Sequence, residues 1–354
     1  MSATAHELAA LTVATSYFKR NRRPQPDVVG GLLCESKITV LGGDYGVGKS
    51  PLIADLVLHI TNGLDWCGRK VEKRPVIHFD FETPATKYKT DLECSAKRLR
   101  LPLPHVPDML EPFFQHDSVK EPTTARLLDA VGSTDKCLAL VAESLREKPN
   151  AVVIFDPVEL FIPIDKLKGK EIVAFYQHLR RLFGTYPQAS VLCTFNLRKP
   201  DTKNTKKPSL LSDPRGWLRE VSGVNEIMTR SDIRLGIDFF DDEQAVRVIN
   251  GVQRGEQFNP LLIQPAGDPE AGFELCPPDR FSPRDVFAPK QAKYWQMLPQ
   301  SFTFNEGLRF GVPRSSLFRL IERATSVGLL RSENEKRVKA VHQHGSPGKL
   351  ELVN

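Results

Sequence analysis

None of the six cysteines, at 34, 67, 94, 137, 193 and 276, stands in a Cys-x-x-Cys pair. That removes the usual zinc and dithiol spacings and leaves reduced core or incidental thiols. No stretch approaches the roughly 18 uncharged apolar residues of a membrane span. The best run, 151–164, is broken by Asp156 and Glu159. The start, Met1-Ser2-Ala3-Thr4-Ala5-His6-Glu7, lacks the basic opening and apolar centre of a secretion signal, so a cytoplasmic protein is expected. Internal repeats and low-complexity tracts are also missing, which excludes disordered, collagenous and disulfide-scaffold chains.

What is present is an ordinary globular composition, 40% hydrophobic and 26% charged over 354 residues. At roughly 100–200 residues per domain it predicts about two domains. The net charge of +6 is modest, yet Lys and Arg cluster, and clustering governs polyanion binding more than the total does. Nucleic acid becomes a partner class. The first cluster, Lys19-Arg20-Asn21-Arg22-Arg23 with Pro24 and Pro26 behind it, reads equally as a solvated tail or a binding arm over 1–27.

From Lys37 onward, short β-rich runs alternate with stretches of helical period: Ile38–Leu41, Val76–Phe79, Ala151–Phe155 and Val191–Phe195. Near-continuous apolar strands separated by helices signal an α/β fold with a mostly parallel sheet covered on both faces. Ile233–Phe240 and Ala245–Ile249, joined across Asp241-Asp242-Glu243, predict an antiparallel hairpin at the sheet edge. Prolines at 260, 265, 269, 277, 278, 283 and 289 then crowd one stretch, where a linker over 266–288 without regular structure is expected.

The strongest motif follows the first run. Gly43-Asp44-Tyr45-Gly46-Val47-Gly48-Lys49-Ser50 fits G-x-x-x-x-G-K-[ST] at every fixed position, between a strand and an apolar helix, which is the context of a phosphate-binding loop (P-loop). Glycines let backbone N–H groups turn inward around phosphate, and the helix N-terminus favours negative charge. Lys49 is expected to neutralise the β/γ-phosphates of ATP and Ser50 to ligate Mg²⁺. Asp156 ends the Ala151–Phe155 run, as expected of the carboxylate that holds the Mg²⁺ water shell. Pro157 follows it, so the water-orienting base must come from elsewhere. Glu82, ending His78-Phe79-Asp80-Phe81-Glu82 at the carboxyl end of another strand, fits that role, with a helix cap as its bland alternative. Asp80 is expected on the other side of the strand and is the weaker candidate.

In this order, the P-loop, Gly63-Leu64-Asp65-Trp66-Cys67-Gly68-Arg69-Lys70-Val71, Glu82 and Asp156 resemble the RecA-like P-loop ATPases of the RepA replicative-helicase type, over 28–265. The resemblance implies a ring, usually hexameric, that couples ATP hydrolysis at subunit interfaces to movement on single-stranded DNA. It also implies a γ-phosphate sensor at Asn196, where the family usually has histidine, and an arginine acting across the interface, for which Arg230 and Arg254 are the matching positions. Asn196 hydrogen-bonds but does not titrate near neutral pH. Two basic loops would face the ring channel: Lys166, Lys168 and Lys170, then Arg198, Lys199, Lys203, Lys206 and Lys207. Such loops track a phosphate backbone without reading sequence, or are merely solvated.

Residues 289–345 carry a second signature, before a tail at 346–354. A helix opens at Pro289, a capping box Thr303-Phe304-Asn305-Glu306 starts another, and a third spans about Arg314 to Ser326 with Leu317, Leu320, Ile321 and Ala324 on one face. Leu329-Leu330-Arg331 pairs with 337–341 across a polar turn. Three helices and a β-wing resemble a winged helix-turn-helix, which implies DNA contact through Arg314, Arg319 and Arg323 or a protein-docking role. Three functions compete: a ring-forming DNA helicase or remodelling motor, a non-translocating ATP-dependent DNA-binding regulator or loader, and a small-molecule kinase. The kinase gives no reason for the C-terminal part.

Overall fold

The computed structural model describes residues 26–102, 109–114, 134–161, 169–197, 208–211, 213–219, 229–240, 245–253, 256–257, 260–266, 271–277, 283–327, 329–333 and 336–339. A short antiparallel pair, β1 (Asp27–Val29) and β2 (Leu33–Cys34), leads into β3 (Ile38–Gly43), which runs through the P-loop into α1 (Lys49–Asn62). Then come β4 (Val76–Asp80), α2 (Ala85–Arg98), β5 (Leu110–Phe114), α3 (Thr134–Glu147), β6 (Val152–Asp156), the short α4 (Val158–Phe161), α5 (Gly169–Thr185) and β7 (Ser190–Asn196). After α6 (Pro214–Leu218) follow β8 (Ile233–Phe239), β9 (Arg247–Gln253), β10 (Glu256–Gln257), β11 (Leu261–Pro265) and β12 (Phe273–Leu275).

These strands from β3 on form one ten-stranded sheet in the order β12-β11-β9-β8-β3-β7-β6-β4-β5, with β10 on β9. From β8 to β5 all neighbours are parallel, and β9, β11 and β12 add on antiparallel. Alternation sorts each strand between two apolar layers. Ile38, Val40, Ile77, Phe79, Val153 and Phe155 join α3 and α5 in one, while Leu41, Val76, Ile154, Leu192 and Leu235 join α1 and α2 in the other. Each fully buried side chain of this kind contributes roughly 1.5–3 kcal/mol, which is why the parallel strands read as unbroken apolar runs.

The β8–β9 hairpin forms as expected, with Ile237 opposite Ile249, but it is not the sheet edge. β11 and β12 extend the sheet beyond it, and β12 lies within the proline-rich stretch expected to lack regular structure. The prolines permit this because Pro265 closes β11 and Pro277 stands just past β12, away from the interior ladder.

The C-terminal part comprises α7 (Pro283–Val286), α8 (Pro289–Met297), β13 (Ser301–Phe302), α9 (Phe304–Arg309), α10 (Arg314–Ser326), β14 (Leu330–Glu333) and β15 (Lys336–Lys339). Thr303 and Glu306 form the reciprocal capping box at α9, and α10 buries Leu317, Leu320 and Ala324. β14 and β15 pair antiparallel and β13 completes a three-stranded sheet. The apolar core of this part, including Trp295, Phe302 and Leu320, is continuous with Leu210, Trp217 and Leu262 of the large domain. Among the described residues, no helix is long and apolar enough to cross a membrane.

Candidate nucleotide site

The P-loop is built where β3 ends in the middle of the sheet. Gly43 is buried, and a Cβ there would meet Ile237 Cγ2 at 2.7 Å, so only glycine lets the loop start this close to β8. Gly46 (φ 79°) and Gly48 (φ 95°) take the left-handed conformation that turns the loop into the start of α1. Pro51 sits in the first turn of α1, where its missing N–H costs nothing. α1 is buried on nearly every side from Leu52 to Thr61 and stops at Gly63 (φ 69°). Val47 anchors the loop in the core, while Tyr45 stands 81% exposed.

Lys49 is the hub. Its Nζ donates to the carbonyls of Gly43 (3.1 Å) and Asp44 (3.0 Å) and to Asn196 Oδ1 (2.8 Å). Burial pulls the ammonium below its ordinary pKa, against the charges of Asp156, Glu82, Glu159 and Asp44, which hold it up. Because β7 lies between β3 and β6, Asn196 stands between the P-loop and the end of the Asp156 strand. Asp156 is 1% exposed and accepts a hydrogen bond from the Thr194 hydroxyl. Burial raises its carboxyl, while Thr194, Ser50 and Lys49 counter that rise. Glu82 is exposed just past β4, and its charge acts on both Lys49 and Asp156. Lys49, Ser50, Glu82, Asp156 and Asn196 therefore meet at the carboxyl ends of adjacent parallel strands, as their sequence positions predicted.

Two residues join them that the motifs did not mark. Glu159, in the short α4, accepts the backbone N–H of Asn196 at 2.8 Å, and burial pushes its carboxyl up to about 7. The sequence shows it only as an interruption of an apolar run. Arg247 reaches from β9 to the carbonyl of Val47 (3.1 Å), its guanidinium 5.3 Å from the ring centres of both Phe239 and Phe273. No local sequence signal could have revealed that bracing.

Asp80 requires a correction. It is not turned away from the site: it stands opposite Asp156 in the β4–β6 register and points to the same face, because residues two apart on a strand share a side. Its Oδ1 accepts the N–H groups of Glu82 (3.1 Å) and Thr83 (2.8 Å), so it shapes the turn from which Glu82 projects.

The Gly63–Val71 segment also gains a physical basis. Cys67 (φ 45°) and Gly68 (φ 72°) make a tight turn closed by paired hydrogen bonds between Trp66 and Arg69. It delivers Trp66 Nε1 to Asp55 of α1 at 3.0 Å. Asp55, fully buried, also accepts Arg98 Nη2 of α2 (2.6 Å) and the N–H of Phe273 in β12 (3.2 Å).

Arg230 is exposed and precedes β8, whose first residues lie level with the start of β3, at the opposite end of the sheet from the P-loop. It is thus out of reach of its own phosphate site. Arg254 lies outside the described residues, as do Lys166, Lys168, Arg198, Lys199, Lys203, Lys206 and Lys207. Arg314 and Arg319 are exposed on α10. Arg323 departs from the expectation of a DNA contact: it is 9% exposed and donates to the carbonyl of Leu211 at 2.6 Å, tying α10 to the large domain.

A glycine-lined loop at the end of a central parallel strand, with a buried lysine and with a buried aspartate one strand beyond its neighbour, defines a P-loop ATPase core. The mixed fold with its mostly parallel sheet fits the RecA-like form of that core. The chain belongs to the AAA domain family (AAA_25), whose profile matches residues 4–201. Among solved structures it is similar to the ATPase domain of a helicase, at 11% identity and a TM-score of 0.49 over 78% of this chain and 100% of that one. No curated protein sequence matches it.

Proposed function

We propose that the protein is a Mg·ATP-dependent, ring-forming DNA helicase or DNA-remodelling motor of the RepA type, acting in the cytoplasm in replication of a plasmid or other mobile element. The observation that carries this is the convergence of Lys49, Asn196, Asp156 and Glu82 on one P-loop. The donor set suits Mg·ATP: a hydroxyl at Ser50 hydrogen-bonded to a buried carboxylate at Asp156, beside a cradle whose glycines leave the backbone open. Bound Mg²⁺ neutralises charge on the β- and γ-phosphates. Lys49 then exchanges its P-loop carbonyls for phosphate oxygens, Glu82 orients the attacking water, and Asn196, held by Glu159, reads the γ-phosphate. Arg230 or Arg254 of a neighbouring subunit completes the site, so hydrolysis requires the ring.

The C-terminal part serves as a winged helix, with Arg314 and Arg319 as its duplex-facing cations, while Lys199, Lys203, Lys206 and Lys207 line the channel. Charge of this kind supplies sequence-independent affinity that falls with salt. The test is hydrolysis measured with and without single-stranded DNA, together with unwinding of a forked duplex and electron microscopy of the ATP-analogue complex. DNA-stimulated hydrolysis, unwinding and a closed ring are expected. Hydrolysis without unwinding would transfer the assignment to a regulator or loader, and phosphate transfer without DNA to a small-molecule kinase.

A further inference from the structure

Beside the P-loop, on the α1/α2 face of the sheet, three fully buried side chains turn toward one point. His78, Asp80 and Asp156 are each 0–1% exposed, and one ligand atom from each lies within 4.8 Å of the other two. Each residue is also oriented from behind. His78 Nδ1 meets the Tyr88 hydroxyl at 2.8 Å, Asp80 Oδ1 takes two backbone N–H groups, and Asp156 Oδ1 takes the Thr194 hydroxyl. The remaining atoms, His78 Nε2, Asp80 Oδ2 and Asp156 Oδ2, are buried without a hydrogen-bond partner. Three orphaned atoms in one place are costly unless something binds them, and held outer atoms with convergent free inner ones are what metal ligands show.

The geometry points to a divalent transition-metal site formed by His78, Asp80 and Asp156, distinct from the cation that accompanies the nucleotide. One imidazole nitrogen and two carboxylates suit a borderline ion of the Zn²⁺ or Co²⁺ type better than Mg²⁺, which favours all-oxygen shells and retained water. Ligation through Nε2 requires His78 to carry its proton on Nδ1 and to donate it to the Tyr88 oxygen. The charges facing the point agree. Burial and the Asp156 carboxylate push Asp80 up to about 7, and burial holds His78 down to about 3, so the imidazole is neutral and ready to ligate. Lys49 and Glu82 act on Asp156 from the nucleotide side with opposite signs. A dication here relieves the repulsion between the two aspartates. By fixing Asp80 it also fixes the turn that carries Glu82, which makes His78 and Asp80 positioning residues rather than catalytic ones. The inference shares Asp156 with the proposed ATP site, so its test excludes nucleotide.

The full chain, stripped with chelator and free of nucleotide, is titrated with Co²⁺ while visible absorption is followed. A saturable band at one Co²⁺ per chain, displaced by Zn²⁺ but not by equimolar Mg²⁺, is expected. His78→Gln and Asp80→Asn should each weaken binding at least tenfold. Tyr88→Phe keeps the ring and removes the outer partner, so it should weaken binding about 10–100-fold even where the ligand variants fail to fold. Lys49→Ala should lose ATP affinity and keep the Co²⁺ band, which separates failure of the P-loop assignment from failure of this one. Absence of saturable binding by folded wild-type protein overturns the site. So does undiminished binding in the Tyr88 or Asp80 variant, or displacement by Mg²⁺ as effective as by Zn²⁺.

Discussion

Replacing Asp55 with alanine removes one buried acceptor shared by three elements around the P-loop helix. Trp66 Nε1 and the Phe273 N–H lose their partner outright, and each stranded buried donor costs about 1–3 kcal/mol. Arg98 also loses its ion pair, but at 23% side-chain exposure its guanidinium finds water, so its share is the smaller. The sum is about 3–5 kcal/mol, the range for breaking a buried charged pair. Gly272 (φ 93°) shows how closely β12 is fitted here, since a Cβ at that position would collide with the Asp55 carboxylate. Trp66→Phe keeps most of the ring and loses only the indole bond to a charged acceptor, about 1.5–3 kcal/mol. Combining the two changes gives a double-mutant cycle read by urea denaturation, with midpoint and slope both measured. A coupling of about 1.5 kcal/mol or more is expected, because Trp66 has nothing left to lose once Asp55 is gone. Additivity within about 0.5 kcal/mol, or an Asp55→Ala cost below about 1 kcal/mol, would refute the three-way tie.

Lys49→Ala should abolish ATP hydrolysis in a steady-state phosphate-release assay, and a wild-type rate would remove the P-loop assignment. Glu82→Gln should keep ATP binding and slow turnover about 10²–10⁴-fold in single-turnover kinetics, whereas a change in affinity alone would make Glu82 structural. Glu159, raised from 4.5 to about 7, keeps its proton in the folded state while the unfolded chain releases it, so stability falls as pH rises through that window. The slope reaches up to about 1.4 kcal/mol per pH unit, and denaturation of Glu159→Gln between those limits should show a correspondingly shallower decline. Arg314→Ala with Arg319→Ala should weaken duplex binding and flatten its salt dependence while sparing hydrolysis, and unchanged salt dependence in a binding titration counts against the DNA-facing helix.

Features carried by consecutive residues were legible without coordinates. The P-loop is one local turn, so glycine spacing and Lys49-Ser50 suffice to specify it, and strand-end acids such as Asp156 and Glu82 follow from where apolar runs stop. The capping box at Thr303 and the buried face of α10 are equally local, because each depends on three- or four-residue periodicity. Pairing between distant strands was not legible. β4 and β6 lie far apart in the chain, and only their register brings Asp80 and His78 to Asp156. Only sheet order puts Asn196 against Lys49 and carries Arg247 from β9 to Val47. Proline density correctly marked irregular chain around β12 but could not show that a three-residue strand between prolines supplies a buried N–H to Asp55. Arg323 looked like its exposed neighbours on α10 and became a tether because the large domain packs on that side. Sequence determines which groups exist and which local turns hold them; long-range packing decides which groups share a low-dielectric space, and that sharing is what sets their charge and chemistry.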